Sequence, residues 1–151
     1  MPLLSSPSFY ISEYLESHRD EYYDRLLAVS RDNDWTGWCA FFLTALTEQA
    51  RTYQEKSQDL LTLYSELRDL VVEVIPSQYG GRALDRIFDR PIFRSIDFVN
   101  GAGIPKSTAR RLLNKFKSRG LLTEVRQGGG RRSAMLAFPE LLNIAEGRTV
   151  L

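Results

Sequence analysis

Residues 103–132 read GIPKSTARRLLNKFKSRGLLTEVRQGGGRR, and they decide the fold of the C-terminal half of the chain. The first part of this stretch has the apolar periodicity of an amphipathic helix, which we place at residues 106–119. Pro105 is expected at the first helical position, because a proline there loses only an amide that has no helical partner. Gly120 is expected just after the helix, where a left-handed residue ends many helices.

The second part of the stretch predicts a β-hairpin. Residues 121–126 and 131–138 are short runs of apolar and β-compatible residues, and glycines at 128–130 separate them. Two further helical runs precede the stretch, at 83–89 and 92–98. Three helices followed by a hairpin are the order of a winged helix-turn-helix domain, which we place at residues 80–151.

The N-terminal half is predicted to start with short helices. The first is capped by Ser8 and carries four apolar or aromatic residues, Phe9, Ile11, Tyr14 and Leu15. A second amphipathic run covers residues 19–31. Asp34 is the expected N-cap of a third helix, which starts at Trp35.

The third helix is predicted to be unusually long. Apolar residues from Trp35 to Val74 recur at steps of three and four, with no proline between them. The pattern predicts one helix of about 40 residues, roughly 60 Å long, which bridges two bodies or pairs with a second chain. A Pro- and Gly-containing segment, 76–81, ends the N-terminal domain at 1–75. The predicted fold is mainly α: N-terminal helices that include one long helix, followed by a winged helix-turn-helix domain with a small β-hairpin.

Charge is divided unevenly along a chain whose formal net charge is only +1. Residues 1–75 hold thirteen acids and six bases, a net charge of −7. Residues 101–135 hold nine bases and one acid, Glu124, a net charge of +8. Such a division indicates two surfaces with different partners, and the basic one coincides with the predicted third helix and hairpin of the C-terminal domain.

The basic helix and hairpin predict binding to double-stranded DNA. In a helix-turn-helix, the leading residues of the recognition helix face base edges, while flanking cations and a wing contact phosphates. The predicted DNA-binding residues are Lys106, Ser107, Thr108, Arg110, Arg111, Lys115, Arg126, Arg131 and Arg132. The alternative is a solvated charged face on a small protein-interaction domain.

The sequence contains no complete active site. His18 is the only histidine and is expected at a helix end or on the surface, while the single cysteine, Cys39, is expected in packed core. Neither a phosphate-binding GxxxxGK[ST] loop nor a set of zinc ligands occurs, so no metal or cofactor is expected. The single cysteine, the lack of a secretory signal and the short apolar runs predict a cytoplasmic protein with no membrane contact.

Residues 2–50 resemble the segment that follows the active-site loop in Fic-domain proteins. Members of that family commonly show the pattern Y…RDEYYDRL…W..W..FFL…A at this place. The matching residues here are Tyr14, residues 19–26 (RDEYYDRL), Trp35, Trp38 and residues 41–43 (FFL). The resemblance implies the end of the Fic helical fold, which often continues through a long helix into a C-terminal winged helix.

The catalytic loop of that family is not matched. Fic enzymes usually transfer AMP from ATP to protein hydroxyls, with an H-[PF]-x-x-[GN]-N-G-R-type loop upstream of the matched segment. His18 is followed here by Arg-Asp-Glu, and no Gly-Asn-Gly-Arg occurs. We therefore expect a truncated or split-gene chain that is catalytically inert alone and acts as a DNA-binding regulatory module. The alternatives are an interaction or assembly module of a Fic protein adenylyltransferase, or scaffold helices for its missing upstream catalytic part.

The resemblance also implies a contact surface. Trp35, Trp38, Phe41 and Phe42 would pack on upstream Fic helices that this sequence lacks, so we expect them to form a dimer or domain contact. A two-fold homodimer would place two recognition helices on one duplex. The alternative is a monomer in which helices within residues 8–31 fold back over the aromatic residues.

Overall fold

A computed structural model describes residues 10–74, 78–129 and 132–151 of the chain. The chain divides into two compact units, Met1–Ser57 and Gln58–Leu151, and one long helix contributes to both. The predictions for five residues lie outside the described parts: Ser8, Phe9, Pro76, Gly130 and Arg131.

The first unit contains two short helices and the start of the long one. They are α1 (Ser12–Ser17), α2 (Arg19–Asp32) and α3 (Trp35–Val74), which confirms the second and third predicted helices. The first helix starts later than predicted, since Ile11 is the N-cap residue of α1. Asn33 ends α2 in a left-handed conformation, with φ of 57°. The Asp34 carboxylate accepts a hydrogen bond from the Gly37 amide at 2.9 Å, so Asp34 caps α3 as expected.

Aromatic contacts join α1 and α2 to α3 within the first unit. Tyr14 of α1 meets Phe41 of α3 with 6.2 Å between ring centroids, and Tyr22 of α2 meets Trp38 of α3 at 5.8 Å. His18 lies exposed at the junction of α1 and α2, as expected, and stacks on Tyr14. No residue of α1 or α2 is buried, so the core of this unit is thin.

The C-terminal part of α3 belongs to the second unit. Leu63, Leu67 and Val71 are buried in the core of that unit. The Tyr64 hydroxyl donates a hydrogen bond to the Asp85 carboxylate at 2.6 Å, and this bond raises the pKa of Tyr64 above its ordinary value. The boundary between the two compact units, after Ser57, falls inside α3. The sequence instead places the two domains at 1–75 and 80–151, and those bounds stay a prediction.

In its described residues, the second unit continues with four helices and three short strands. They are α4 (Gly80–Asp89), β1 (Ile92–Arg94), α5 (Ser95–Gly101), α6 (Lys106–Ser118), β2 (Thr123–Arg126), β3 (Met135–Ala137) and α7 (Pro139–Glu146). Strand β3 lies between β1 and β2 and is antiparallel to both, with Leu136 opposite Phe93 on one side and Glu124 on the other. The fold is thus mainly α with a small β-hairpin, as predicted.

In the second unit, two predictions are wrong and one element was not predicted. The helix expected over 92–98 begins only at Ser95, because residues 92–94 pair with β3 and bury Phe93. Pro105 is the N-cap residue and not the first helical one: its ψ of 133° is extended, and its carbonyl accepts the first helical hydrogen bond, from Ala109. Helix α7 closes the unit and has no counterpart among the expectations.

One core holds the second unit together. Phe98 of α5, Phe116 of α6 and Phe138, which follows β3, are each nearly inaccessible to solvent. Phe88 of α4 meets Phe138 and Tyr64 edge-on, with 5.7 and 5.0 Å between ring centroids. Because the apolar face of α6 points into this core, the opposite face of the helix points outward.

Candidate nucleic-acid interface

The predicted recognition helix, α6, has one buried and one exposed side. Its buried residues are Ala109, Leu112, Leu113 and Phe116. Since successive residues turn by about 100° around a helix, Ser107, Arg111 and Asn114 lie on the opposite side, and all three are exposed. This side offers a hydroxyl, a guanidinium and an amide to solvent.

The two flanks of α6 differ from each other. Lys106 and Arg110 are exposed on one flank, whereas Thr108 and Lys115 are half-buried on the other. Arg110 and Lys117 also line a groove of about 330 Å³ that α6 forms with α5 and with the residues around the start of β3. The α6 residues predicted to contact DNA therefore lie on one helix but do not share one face.

The hairpin fixes the position of two predicted arginines. Arg126 ends β2, and Arg132 exchanges two backbone hydrogen bonds with Gly129, each 3.0 Å long. Both arginines are exposed. The third predicted arginine, Arg131, lies outside the described residues.

Glycines define the path of the chain from α6 to the hairpin. Gly120 has a φ of 76° and, together with the Leu121 amide that donates to the Phe116 carbonyl at 3.0 Å, ends α6 as expected. A Cβ on Gly128 would stand 2.9 Å from the backbone nitrogen of Ala134. Position 128 therefore accepts only glycine without a shift of the hairpin backbone.

Glu124 of β2 is the single acid within residues 101–135. Its Oε2 accepts a hydrogen bond from Lys117 Nζ at 3.2 Å, and its Oε1 accepts one from the Gly128 amide at 3.3 Å. Both bonds lower the pKa of Glu124, and the bond from Lys117 is the larger cause. The ionised carboxylate thus joins α6 to the hairpin.

Most cations of the basic segment have no acid beside them. Within the described residues, no ion pair forms at Lys106, Arg110, Arg111, Arg119, Arg126 or Arg132. By contrast, Arg94 is paired: its Nε and Nη2 donate to Asp97 Oδ2 and Oδ1 at 2.7 and 2.9 Å, which lowers the pKa of Asp97. Exposed cations that lack acidic partners attract polyanions.

Two residues at this surface are missing from the predicted site. Asn114 is exposed one turn after Arg110, and an amide there can form hydrogen bonds with the edge of an adenine. Its spacing from the apolar residues of α6 could have identified it from the sequence as an exposed residue. No sequence pattern identifies Glu124, because its hydrogen bonds with Lys117 and Gly128 depend on how the hairpin packs beside α6.

The predicted dimer or domain contact is only partly exposed. Trp35 is 58% exposed, and its indole nitrogen donates a hydrogen bond to the Asn33 side chain at 3.0 Å. Trp38 and Phe42 are half-buried, and Phe41 is buried. Helices α1 and α2 thus cover part of the aromatic face and leave Trp35 open.

Cys39 is exposed, so the prediction that it is packed in the core is wrong. It lies about 200° around α3 from Phe41. Because α1 packs on the side of α3 that carries Phe41, the Cys39 side chain faces solvent.

No protein-family model matches this chain. Every helix in the described parts of the chain is too short or too polar to cross a membrane. Residues 10–74, 78–129 and 132–151 also contain no cluster of three His, Cys, Asp or Glu side chains that could hold a metal ion.

Proposed function

We propose that this chain is a DNA-binding, regulatory winged-helix module at the C-terminal end of a Fic family protein, with no catalytic centre of its own. The observation that carries the DNA-binding part is the set of exposed, unpaired cations on α6 beside a hairpin with two more. Because α6 buries its apolar side, Arg110 and Arg111 are exposed to solvent. Neither forms an ion pair with an acid of the described residues. Closely spaced phosphates are the anions that suit such a surface.

The order of elements supports a winged-helix interpretation. Helices α4, α5 and α6 are followed by the β2–β3 hairpin. Gly103, with φ of 63°, lies in the short turn between α5 and α6, where a helix-turn-helix often has glycine. In this interpretation α6 is the recognition helix and the hairpin is the wing.

The elements have different roles in the proposed complex. The exposed side of α6 enters the major groove, where the Arg111 guanidinium and the Asn114 amide meet base edges. Arg110 on the flank of α6, and Arg126 and Arg132 on the hairpin, contact the phosphate backbone. Phosphate contacts supply most of the affinity, and base contacts supply the sequence preference.

The first unit supports the Fic part of the proposal in one respect. Tyr14, Trp38 and Phe41, which carry the resemblance, contact one another or their neighbours across α1, α2 and α3. These motif residues are therefore packing residues. The proposed partner is an upstream Fic catalytic part, which would transfer AMP while this chain supplies the DNA contact.

Salt-dependent binding to a labelled DNA duplex tests the proposal. We expect the affinity of the chain to fall as salt rises, with a log–log slope of about −0.9 for each phosphate neutralised. The double variant Arg110→Ala/Arg111→Ala should bind roughly tenfold more weakly or worse. Arg82→Ala/Arg148→Ala is the matched control, since it removes the same charge from exposed positions outside α6 and the hairpin, and it should change binding far less.

The opposite results favour the alternative function. A flat salt response, or equal loss of binding in both double variants, would contradict DNA binding at α6. The second unit would then be a protein-interaction or assembly module of the same Fic protein. Labelling of any protein with AMP by the purified chain would contradict the statement that it has no catalytic centre.

The proposal includes a homodimer formed through the first unit. Phe41 is buried within its own chain, so the contact depends on exposed residues such as Trp35, Tyr23 and Leu27, which are 58%, 54% and 58% exposed. Open apolar surface of this kind marks interaction sites. Light scattering over a range of concentrations should show a dimer that Trp35→Ser weakens and that Leu61→Ser, at another exposed leucine, does not. A monomer at every concentration would contradict it.

A further inference from the structure

Glu124 has the wrong charge for the surface on which it lies. It is the single acid among the ten charged residues between positions 101 and 135. In the proposed complex its carboxylate faces a polyanion, and like charges repel. Its contribution must therefore come from something other than attraction to DNA.

The contacts of Glu124 tie together three segments of the chain. The residue itself lies on β2, Lys117 lies on the last turn of α6, and Gly128 lies beyond the end of β2. Its side chain is 31% exposed, less than that of any other acid that forms an ion pair in the described residues. Partial shielding from water makes such a pair stronger than a fully solvated one.

The hairpin is anchored to the core through β3, which pairs with β1 and buries Leu136 and Ala137, but its other strand, β2, is not anchored in this way. All four residues of β2 are exposed, so the strand contributes no buried side chain. Strand β2 is at the edge of the sheet, and its ladder with β3 shifts register between Glu124 and Arg126. Because β3 is the one strand that pairs with β2 in the described sheet, the bonds of Glu124 to Lys117 and Gly128 give β2 and the turn after it a direct side-chain link to α6.

We propose that Glu124 is a positioning residue, which holds the hairpin in one place relative to α6 so that Arg126 and Arg132 meet a duplex together with the cations of α6. This inference rests on the proposed DNA-binding function. Its physical basis is preorganisation, since cations that are already in place need not be ordered when DNA binds. The gain from ordering the hairpin exceeds the repulsion between one carboxylate, already paired with Lys117, and the phosphates.

The proposal predicts an effect opposite in sign to that of charge alone. Glu124→Ala removes a negative charge, so electrostatics alone predicts tighter binding to duplex DNA. If Glu124 positions the hairpin, the variant binds about threefold to tenfold more weakly. The salt dependence also becomes shallower, by about 0.9 in slope for each hairpin phosphate contact that is lost.

Two further variants serve as controls. Glu146→Gln makes a matched change of charge at an exposed position of the second unit, where the described residues form no ion pair, and it should bind as tightly as the wild type or more tightly. Glu124→Gln keeps the shape and one acceptor but loses the charge that faces Lys117, so its affinity should fall between those of Glu124→Ala and the wild type. Thermal unfolding of each variant confirms that the core is intact.

Hydrogen exchange of the Gly128 amide measures the link without DNA. It should be faster in Glu124→Ala than in the wild type and unchanged in Glu146→Gln. Unchanged exchange in Glu124→Ala, or DNA binding by that variant as tight as that of the wild type, overturns the positioning role. If the wild-type chain shows no salt-dependent DNA binding, the proposed function fails as well, and the exchange result then shows separately whether the link exists.

Discussion

The two units of this chain differ in how much apolar surface they bury. In the first unit, α1 and α2 have no buried residue, and Trp35, Tyr23 and Leu27 remain more than half exposed. In the second unit, helices, strands and the end of α3 share one core, with Phe98 and Phe116 each 1% exposed. The second unit therefore has the burial expected of a domain that folds by itself, whereas the described residues of the first unit bury less apolar surface.

The same two units differ in charge, and the two differences are related. Arg110 and Arg111 are exposed on α6, whose other face is buried in the core, so the surface of the second unit offers cations to a charged partner. The first unit is acidic and leaves aromatic residues open, which is typical of a surface that packs on more protein. Each unit thus predicts a different class of partner.

The largest expected effect comes from the core of the second unit. Phe116→Ala should lower the free energy of unfolding by about 3–5 kcal/mol, because it leaves a cavity under α6. Leu43→Ala in the first unit, at a side chain that is 61% exposed, should lower it by no more than about 0.5 kcal/mol. Urea unfolding measures both values. Similar losses in the two variants would contradict the contrast in burial.

A smaller effect is expected in the hairpin, where two neighbouring glycines form a matched pair. Gly128→Ala pushes a Cβ against the Ala134 backbone at 2.9 Å, whereas a Cβ on Gly129 meets nothing within 4 Å. We expect Gly128→Ala to destabilise the second unit by about 1–3 kcal/mol, the usual effect of overpacking, and Gly129→Ala to have little effect. Thermal unfolding distinguishes them, and equal stability of the two variants would show that the hairpin adapts.

The next effect concerns the start of α3 in the first unit. Asp34→Ala removes the acceptor of the Gly37 amide and should cost about 1 kcal/mol of helix stability. Asp24→Ala is the control, because Asp24 lies within α2 and is exposed. Circular dichroism during thermal unfolding measures the difference. If both variants unfold like the wild type, the cap does not limit the stability of the first unit.

Helices were predictable from the sequence where one face packs against a single apolar core along its whole length. The periodicity of α6 indicates the buried face that the structure contains, because Leu112, Leu113 and Phe116 meet one core. Residues 92–94 have no periodicity of their own and become a strand only because β3 pairs with them. The prediction that Pro105 is the first helical residue failed for a similar reason. The proline ring fixes φ, but ψ depends on the path of the turn between α5 and α6.

The candidate site was predictable in residue type but not in pairing. The sequence shows a cluster of cations, and the structure confirms that Arg110 and Arg111 are exposed. The sequence alone could not show that Thr108 is half-buried, or that Glu124 accepts hydrogen bonds from both Lys117 and Gly128, because these facts depend on how separate elements pack. Cys39 is a similar case, since its exposure depends on which side of α3 the first two helices cover.

The smallest expected effect concerns an ion pair of the second unit. Arg94 holds both carboxylate oxygens of Asp97, and this contact lowers the pKa of Asp97 below its ordinary value. A carboxyl whose pKa is lower in the folded state stabilises the fold above its unfolded pKa, and this contribution is lost as the pH falls through the folded pKa. Because both side chains are about half exposed, salt should weaken the effect.

Asp97→Asn should therefore be less stable than the wild type at neutral pH, by a margin that shrinks as the pH falls and as salt is added. Urea unfolding at several pH values measures that margin, and an NMR titration of the Asp97 carboxyl should give a midpoint below that of an unpaired aspartate. Asp24→Asn in the first unit is the control, since Asp24 forms no ion pair among the described residues, and this variant should differ little from the wild type in stability. A midpoint equal to that of an unpaired aspartate would mean that Arg94 and Asp97 do not form an ion pair in solution. Arg94 would then join the unpaired cations of α6 and the hairpin, and the basic surface of the second unit would extend to the start of α5.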